Sequence, residues 1–341
     1  MLTLGIDTSN YATSLAVYDS VAREVVCDKK RFLPVKEGQL GLRQSDALFH
    51  HTAALPGLLC ELAGEADLTR VEAVGVSARP RPVEGSYMPC FLAGVSAARA
   101  FCVCRGLPLV ETTHQQGHVA AALYAAGDES LFEREALVFH VSGGTTDLLL
   151  CSGPGSIRCI GTSSDLYAGQ AVDRIGVKLG LAFPAGAGVS ELAARCGEPV
   201  MPKVSVRGTQ CSLSGLENQC SRLLAEGKSP EYVCKYCLCC VAETALRMVK
   251  AALEQRPGLP VVFAGGVMSS GVIRQYVQAR LPGACFVPGR FSSDNAIGAA
   301  ILAAAVVIVK LIGAAYKIPL SNILGSAGQT YFDTAYQIYN F

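Results

Sequence analysis

The sequence has few charged residues and almost no excess of either sign. Asp, Glu, Lys and Arg make up 17% of the 341 residues, and 29 basic side chains against 28 acidic ones leave a net charge of +1. Because 50% of the residues are hydrophobic, the composition excludes a disordered chain, which combines low hydrophobicity with high net charge. The basic surface with which a protein grips nucleic acid unaided is also missing. If nucleic acid is the substrate, we therefore expect a partner to contribute to its binding.

A signal-peptide pattern is absent from the first residues, which go from Met1 directly into an apolar strand pattern. The 15 cysteines are odd in number and scattered through apolar runs. Since free cysteine behaves as a small buried hydrophobe, we expect a reducing cytoplasm and no disulfide scaffold. The densest group fits a core-filling helix over residues 232–253, with metal binding through its C-x-x-C part as the alternative. It comprises Cys234, Cys237, Cys239 and Cys240.

Short apolar strands alternate with helical patterns, which indicates a layered α/β fold. One strand–turn–strand unit occupies residues 2–18 and a second occupies 136–151, each with Gly, Ser or Thr at its tip. This recurrence indicates an internal duplication. The predicted helices are 45–63 with an interruption at Pro56, 94–105, 165–179 and 232–253, and the further buried strands are 71–76, 108–110 and 261–264.

The two hairpin tips carry the residue types that bind phosphate. Residues 8–10 form the first tip and residues 142–146 form the second. Backbone N–H groups and hydroxyls in tight turns can surround phosphate oxygens, and the glycine pair at 265–266 would let the backbone approach a flat adenine closely. The three motifs together predict a nucleotide held between facing tips, whereas each motif alone is also typical of a plain turn.

Two of the five histidines stand four positions apart. On a helix His114 and His118 would share one face, where two imidazoles can bind one cation with a third ligand from elsewhere. Asp294, at a predicted helix start, is the candidate for that ligand. The alternative is a pair of surface or capping histidines with Asp294 as an N-cap, and the residues alone favour it slightly. His140 lies in a strand pattern, so we expect it in the core or at the edge of the cleft.

Seven motifs follow one another in a fixed order. They are 4–9 (LGIDTS), His114 with His118, 141–146 (VSGGTT), 171–173 (AVD), 179–181 (LGL) with Pro184, 265–267 (GGV) and 293–295 (SDN). Together they resemble the TsaD family of tRNA threonylcarbamoyltransferases over about residues 2–303. The resemblance implies an α/β, actin-like ATPase (ribonuclease H-like) fold with two lobes, each a mixed sheet flanked by helices. The N-terminal lobe would comprise residues 1–110 together with 294–305, which return to it, and the C-terminal lobe would comprise residues 111–293.

The resemblance also implies an activity: transfer of threonylcarbamoyl from threonylcarbamoyl-AMP to N6 of adenosine 37 in tRNA. One divalent ion, iron or zinc, would be bound by His114, His118 and Asp294. Threonylcarbamoyl-AMP or ATP would be the ligand, TsaB-type and ATPase-type subunits the partners, and the cytoplasm the location. The implied phosphate turn is Asp7, Thr8 and Ser9, and the implied substrate-binding residues are Val141, Ser142, Gly143, Gly144, Thr145, Asp173, Gly186 and Ser270.

Several positions depart from the family pattern. Tyr11 and Ala12 stand where acidic residues are usual, Thr145 replaces a His, Gln170 replaces a Glu and Ser270 replaces an Asn. These changes leave a second hypothesis open, in which a non-catalytic paralogue binds nucleotide and acts as a partner or regulatory subunit. A metalloprotease is a weaker reading, because the first histidine of the pair is not followed by the Glu that would serve as general base.

The C-terminal region is apolar over residues 296–313 except for Lys310, and this length comes close to that of a membrane span. Up to about residue 305 we expect the closing helix of the actin-like lobe. Residues 306–341 form an apolar tail that is similar to the first segment of a polysaccharide flippase. We predict a fused membrane-protein fragment there, and no membrane association of the main domain.

Overall fold

The computed structural model describes residues 1–9, 11–34, 42–153, 155–292 and 294–315. Two five-stranded mixed sheets organise this part of the chain. The strands of the first sheet are β1 (Leu2–Asp7), β2 (Ala12–Asp19), β3 (Glu24–Phe32), β4 (Val71–Arg79) and β5 (Leu109–Thr113). Their spatial order is β3-β2-β1-β4-β5.

The second sheet repeats this arrangement. Its strands are β6 (Glu135–Val141), β7 (Thr146–Ser152), β8 (Ile157–Thr162), β11 (Val261–Ala264) and β12 (Cys285–Phe286), while β9 (Ser205–Arg207) and β10 (Gln210–Ser212) form a separate hairpin. In each sheet the first strand pairs antiparallel with its hairpin neighbour, β2 or β7, and parallel with a later strand, β4 or β11. The two mixed sheets confirm the predicted α/β class.

Ten α-helices flank the sheets within the described residues. They are α1 (Gln44–Ala63), α2 (Phe91–Arg105), α3 (His114–Ala125), α4 (Ala168–Lys178), α5 (Gly186–Arg195), α6 (Ser214–Ala225), α7 (Pro230–Gln255), α8 (Gly271–Gln278), α9 (Gly289–Ser292) and α10 (Ile297–Ala315). The predicted interruption of the first helix is wrong, because α1 continues through Pro56. Pro56 is on the exposed side, while Leu55, Leu58 and Leu62 are buried. Burial of this apolar face outweighs the loss of one backbone donor.

The α3 and α10 helices lie in the core between the two sheets. Their buried residues pack with side chains of β2, β6, β7 and β11 in one hydrophobic cluster. On β6 the alternation of side chains assigns Ala136 and Val138 to this cluster, and Leu137, Phe139 and Val141 to the cluster on the opposite face. One strand therefore holds both cores in register.

Glycines allow α10 to approach its neighbours at backbone distance. A Cβ on Gly298 would lie 1.8 Å from the carbonyl oxygen of Gly117 in α3. A Cβ on Gly5 of β1 would lie 2.1 Å from the carbonyl oxygen of Ala296, and one on Gly75 of β4 would lie 2.0 Å from that of Ala299. A methyl group cannot be accommodated at such distances. The three glycines therefore allow the first turn of α10 to pack directly against α3, β1 and β4.

The exposed end of α10 bears on the predicted tail. Within the described residues α10 is the one helix long and apolar enough to cross a membrane, and 44% of its most apolar window is buried. Residues 297–304 lie in the core, whereas Val309, Leu311 and Ile312 are exposed. Residues 316–341 of the predicted fused fragment lie outside the described residues. The predicted division into lobes at residues 110 and 293 stays a prediction.

The cysteines of α7 are core residues. Cys234, Cys237, Cys239 and Cys240 are all buried, and burial raises the pKa of Cys234 and of Cys240 to about 12. Their thiols therefore stay protonated at neutral pH, as for cysteines that fill an apolar core. In the described part of the chain, the single group of His, Cys, Asp and Glu side chains close enough to share one ion lies elsewhere.

The predicted helix 165–179 begins later than expected. In the structure α4 starts at Ala168, and Gly180, with φ of +84°, follows its C-terminal end as predicted. Asp165 instead joins β10 to α6. Its carboxylate accepts hydrogen bonds from Ser212 Oγ at 2.5 Å and from the backbone N–H of Leu213 at 2.8 Å. Although burial acts in the opposite direction, these and further donors lower the pKa of Asp165.

We expect Gly298→Ala to destabilise the protein, because the new methyl group would collide with the backbone of α3. Overpacking of this kind costs about 1–3 kcal/mol, measurable as a lower midpoint of urea unfolding. Gly313→Ala is the matched control: it lies on the exposed part of α10, where an added Cβ meets no described atom within 4 Å, and Ala favours a helix over Gly. Equal unfolding midpoints for the two variants would contradict the close contact.

We expect Asp165→Asn to lower the unfolding free energy at neutral pH by about 1 kcal/mol or less, since the carboxylate is partly solvated. The folded-state pKa lies below the usual 3.8, so the stabilisation is present above about pH 4 and is lost as pH falls through the folded-state value. The difference from wild type should therefore shrink below pH 4 in urea titrations. Asp28→Asn, on the exposed surface of β3, is the matched control and should unfold with the wild-type free energy at neutral pH.

Candidate metal and nucleotide site

The two histidines of the H-x-x-x-H pair lie in the first two turns of α3. Thr113 caps this helix: its side chain accepts from the backbone N–H of Gln116, and the Gln116 side chain accepts from the backbone N–H of Thr113. This capping box begins the helix at His114, directly after β5. One turn later, His118 places its Nε2 atom 2.9 Å from His114 Nε2. Helix spacing therefore brings the two imidazoles together, as predicted.

Asp294 completes a group of three. Its Oδ1 atom lies 3.5 Å from His114 Nε2 and 3.5 Å from His118 Nε2. In a tetrahedral site with metal–ligand bonds of about 2.1 Å, two ligand atoms are separated by roughly 3.4 Å, a value between the distances of 2.9 and 3.5 Å observed here. Three convergent atoms of this kind fit one divalent cation and leave a coordination position open, as in catalytic sites.

Asp7 supports this group from behind. Its Oδ2 atom lies 2.9 Å from His114 Nδ1 and also accepts a hydrogen bond of 2.5 Å from Ser77 Oγ. With Nδ1 held by the carboxylate, His114 presents its Nε2 to His118 and Asp294. A carboxylate behind a histidine in this way fixes the ring orientation and the tautomer in metal sites. Asp7 lies at the end of β1, which connects the first hairpin tip to the histidine pair.

The charges in this group are strongly coupled. Burial favours neutral forms, but the carboxylates of Asp7 and Asp294 outweigh it and raise the pKa of His114 to about 10. The pKa of each carboxylate is in turn lowered by His114 despite burial. Burial and the neighbouring His114 lower the pKa of His118. The site thus concentrates two anionic carboxylates around one cationic position.

The second hairpin tip forms a tight turn at the end of β6. The backbone N–H of Ser142 donates to the carbonyl oxygen of Thr145 at 3.0 Å, and their side-chain oxygens lie 2.7 Å apart. Gly143 and Gly144 are exposed, and a Cβ on either would meet no described atom within 4 Å. The turn therefore presents its backbone to open space, and its assignment as a phosphate or substrate turn stays a prediction.

Two glycines hold neighbouring segments against this turn. Gly265, with φ of +97°, follows β11, and a Cβ there would lie 2.1 Å from the carbonyl oxygen of Val141. A Cβ on Gly169, in the first turn of α4, would lie 2.4 Å from the carbonyl oxygen of Ser142. The role that this structure gives Gly265 is thus a close approach of backbone to backbone.

Asp173 and Ser270 contact α5, and Gly186 is the first residue of this helix. The Asp173 carboxylate accepts a hydrogen bond of 2.8 Å from the backbone N–H of Ala185, at the start of that helix. Burial raises the pKa of Asp173, although backbone donors at Ala185 and Gly186 oppose this shift. Ser270 Oγ lies 2.8 Å from Ser190 Oγ of α5. Asp173 thus contacts the start of α5, and Ser270 contacts the same helix further along.

The first hairpin tip uses much of its polar capacity internally. The Thr8 hydroxyl donates to the carbonyl oxygen of Cys90 at 3.1 Å and accepts from the backbone N–H of Gly94 at 3.1 Å, which ties this tip to α2. Ser9 Oγ is buried and lacks a hydrogen-bond partner among the described residues. At this tip, Ser9 therefore retains hydrogen-bonding capacity for a ligand.

Sequence reasoning missed two features of the site. The support of His114 by Asp7 and Ser77 joins residues far apart in the chain, and no spacing signals it. His140 is buried as expected, but its ring centroid lies only 4.7 Å from that of His118, and its Nδ1 lies 3.2 Å from Thr145 Oγ1. In the sequence, the one signal for this contact is a histidine in an apolar strand pattern, two positions before the turn that contains Gly143 and Gly144.

Solved structures share the fold at low sequence identity. HypF from T. kodakarensis has a TM-score of 0.59 and 12% identity, with 91% of this chain and 48% of that chain covered. Component A of the Acidaminococcus fermentans (R)-2-hydroxyglutaryl-CoA dehydratase has a TM-score of 0.53 and 15% identity, with coverages of 89% and 97%. The fold is the actin-like ATPase fold, as predicted.

Sequence relatives are closer. A family profile described as "TsaD: tRNA N6-adenosine threonylcarbamoyltransferase" matches residues 37–301. A tRNA N6-adenosine threonylcarbamoyltransferase of Streptococcus pneumoniae is 30% identical over 312 residues, which cover 86% of this chain and 88% of the relative. These matches bear out the resemblance seen in the ordered motifs. The chain belongs to the TsaD family of tRNA N6-adenosine threonylcarbamoyltransferases.

Proposed function

We propose that this chain transfers the threonylcarbamoyl group of threonylcarbamoyl-AMP to N6 of adenosine 37 in tRNA. Family membership supports this class of reaction. The observation that carries the proposal for this chain is the convergence of His114, His118 and Asp294 at one end of α3. A protein that had lost the activity would be free to lose this costly arrangement of buried charges.

The reaction is an acyl transfer. The N6 nitrogen of the adenine attacks the carbonyl carbon of the carbamoyl group, and a C–N bond forms. The bond between that carbon and the phosphate oxygen of the adenylate breaks, and AMP leaves with the electron pair. The attacking nitrogen loses one proton, which balances the negative charge gained by the leaving phosphate. The protein must therefore stabilise negative charge on the carbonyl and phosphate oxygens.

The 141–145 turn suits that task. The exposed backbone at Gly143 and Gly144 would donate N–H groups to an oxygen that gains negative charge. Asp173 would accept a hydrogen bond from a ribose hydroxyl, since a carboxylate retains acceptor capacity beyond the bond to Ala185. Ser9 would supply a hydroxyl from the opposite tip, and Gly186 and Ser270 would contact the adenylate portion as the family resemblance implies.

His114, His118 and Asp294 would hold one divalent iron or zinc ion, with Asp7 orienting His114. The donor set of two imidazoles and one carboxylate suits either metal. When bound, the ion supplies Lewis-acid polarisation of a carbamoyl or phosphate oxygen. Asp7 and Asp294 favour positive charge near His114. In the metal-free protein a protonated His114 would carry that charge, and in the metal-bound protein the ion would carry it while the His114 ring is neutral.

The proposal includes partner subunits and a location in the cell. A net charge of +1 gives the chain little general attraction for tRNA, so we assign part of the tRNA binding to TsaB-type and ATPase-type subunits. We place the complex in the cytoplasm. We also retain the two lobes, 1–110 with 294–305 and 111–293, and the interpretation of 306–341 as a fused fragment.

The second candidate is a non-catalytic nucleotide-binding subunit. It is favoured by the internal use of the Thr8 hydroxyl and by the replacement of charged or basic family positions with Tyr11, Ala12, Thr145 and Gln170. Such a protein would bind AMP or ATP without making modified adenosine. Both candidates use the same cleft, so binding and product formation must be measured separately.

We expect His114→Ala to abolish stoichiometric binding of zinc or iron, because one ligand is lost and Asp7 loses its partner. Asp7→Asn should retain binding with an affinity reduced about 10- to 100-fold, as for other supporting carboxylates. Metal content after dialysis and titration with Co²⁺ measure both effects. His50→Ala, on α1 with its ring against Phe49, is the matched control and should bind like wild type. Unchanged metal content in His114→Ala would overturn the ligand assignment.

We expect the full chain, supplied with threonine, bicarbonate, ATP, tRNA and its partner subunits, to form threonylcarbamoyladenosine, detected by mass spectrometry of digested tRNA. The reaction should be lost in His114→Ala and retained in His50→Ala. Saturable binding of AMP without any product would reject the transferase and support the non-catalytic subunit.

A further inference from the structure

His140 lies between the metal-ligand pair and the substrate turn. It is the second-last residue of β6, and only 4% of its surface is exposed. On one side its ring lies 4.7 Å from the ring of His118, with an angle of 35° between the planes. On the other side its Nδ1 lies 3.2 Å from Thr145 Oγ1. One buried side chain therefore contacts both halves of the candidate site.

A short series of hydrogen bonds extends from this ring into the turn. Thr145 Oγ1 lies 2.7 Å from Ser142 Oγ, and Ser142 Oγ accepts a bond of 3.4 Å from the backbone N–H of Gly144. His140 thus reaches the exposed backbone of the turn through two hydroxyls. Because hydroxyl hydrogens can rotate, either end of the series can set the direction of its bonds.

The other ring nitrogen has a different environment. His140 Nε2 is buried and has no hydrogen-bond partner among the residues that the structure describes. A charged imidazolium beside His118 would be costly to bury, so the ring is neutral and has one donor and one acceptor nitrogen. His140 is not among the three side chains whose ligand atoms lie within 4.8 Å of one another, and the contact that it makes with a polar group is the one from Nδ1 to Thr145.

We propose that His140 is a positioning residue: it fixes the 142–145 turn relative to His118, so that a substrate held by the turn lies within reach of the metal-ligand group. Nδ1 makes the link to the turn, and the ring face makes the link to His118. The proposal rests on the proposed function for the identity of the substrate only. The link itself is a property of this chain's packing.

The test uses His140→Phe, Thr145→Val and the double variant. Phe keeps a ring beside His118 but lacks both nitrogens, and Val replaces the Thr hydroxyl by a methyl group of similar size. We expect each single variant to raise KM for threonylcarbamoyl-AMP, or Kd for AMP, up to about tenfold, as for the loss of one hydrogen bond. The double variant should be no worse than the more affected single one, because both remove the same link.

Two further variants separate positioning from other effects. His140→Asn places an amide near the position of Nδ1, so it should recover most of the lost affinity and should fold if His140→Phe does not. Thr244→Val removes a buried hydroxyl that has no hydrogen-bond partner in the described chain, and it should leave KM and Kd unchanged. Bound Co²⁺ per chain should stay at the wild-type value in all of these variants.

The outcomes distinguish this inference from the proposed function. A wild-type protein that makes no product removes the proposed function, while AMP affinity and a double-mutant cycle on urea unfolding still test the link between His140 and Thr145. Additive effects in the unfolding cycle, unchanged KM and Kd in His140→Phe, or loss of Co²⁺ from His140→Phe would each overturn the inference. Non-additive effects with full Co²⁺ binding and recovery by His140→Asn would support it.

Discussion

The contact between the backbones of α3 and α10 is the constraint on which the candidate site depends. Gly298 lies against Gly117 so closely that neither helix can shift without the other. Because His114 and His118 lie at the start of α3 and Asp294 lies just before α10, this contact sets the distance between the imidazoles and the carboxylate. The absence of a side chain at Gly117 and Gly298 thus allows the start of α3 and the segment before α10 to come close enough to form one three-residue site.

Electrostatics explains why the site has this particular set of residues. Asp7 is 1% exposed, and a buried carboxylate is stable only with a cation or strong donors nearby. Ser77 and His114 provide those donors to Asp7, and His114 then lies between Asp7 and Asp294. Removal of any one charge leaves another unpaired. The same feature makes the site receptive to a cation, since the Asp294 carboxylate faces the small volume that the Nε2 atoms of His114 and His118 share, while Asp7 lies behind His114.

Local patterns predicted the parts of the fold that depend on local physics. The strand–turn–strand duplication follows from periodicity, and the sheets bear out the α/β class. For His114 and His118 the sequence offered only a four-residue spacing that suits a helix, and the capping box at Thr113 provides that helix in the structure. Two local predictions failed where tertiary contacts decide: α1 passes through Pro56 because its buried face outweighs one lost bond, and Asp165 joins β10 to α6 instead of starting α4. The contact between Asp7 and His114 could not be predicted from the sequence, because the two residues are 107 positions apart and no local spacing relates them.

The alternation of β6 accounts for the special place of His140. Ala136 and Val138 point toward α3 and α10, and two residues further along the same face the next position is His140. Apolar contact therefore gives way to a polar side chain at the end of the strand, where His118 lies and where the turn begins. The neighbouring Val141 points to the opposite core, so it holds the strand while His140 faces the site. A two-residue periodicity thus brings one imidazole from a β-sheet beside another from a helix, and it does so next to the exposed backbone that a substrate would contact.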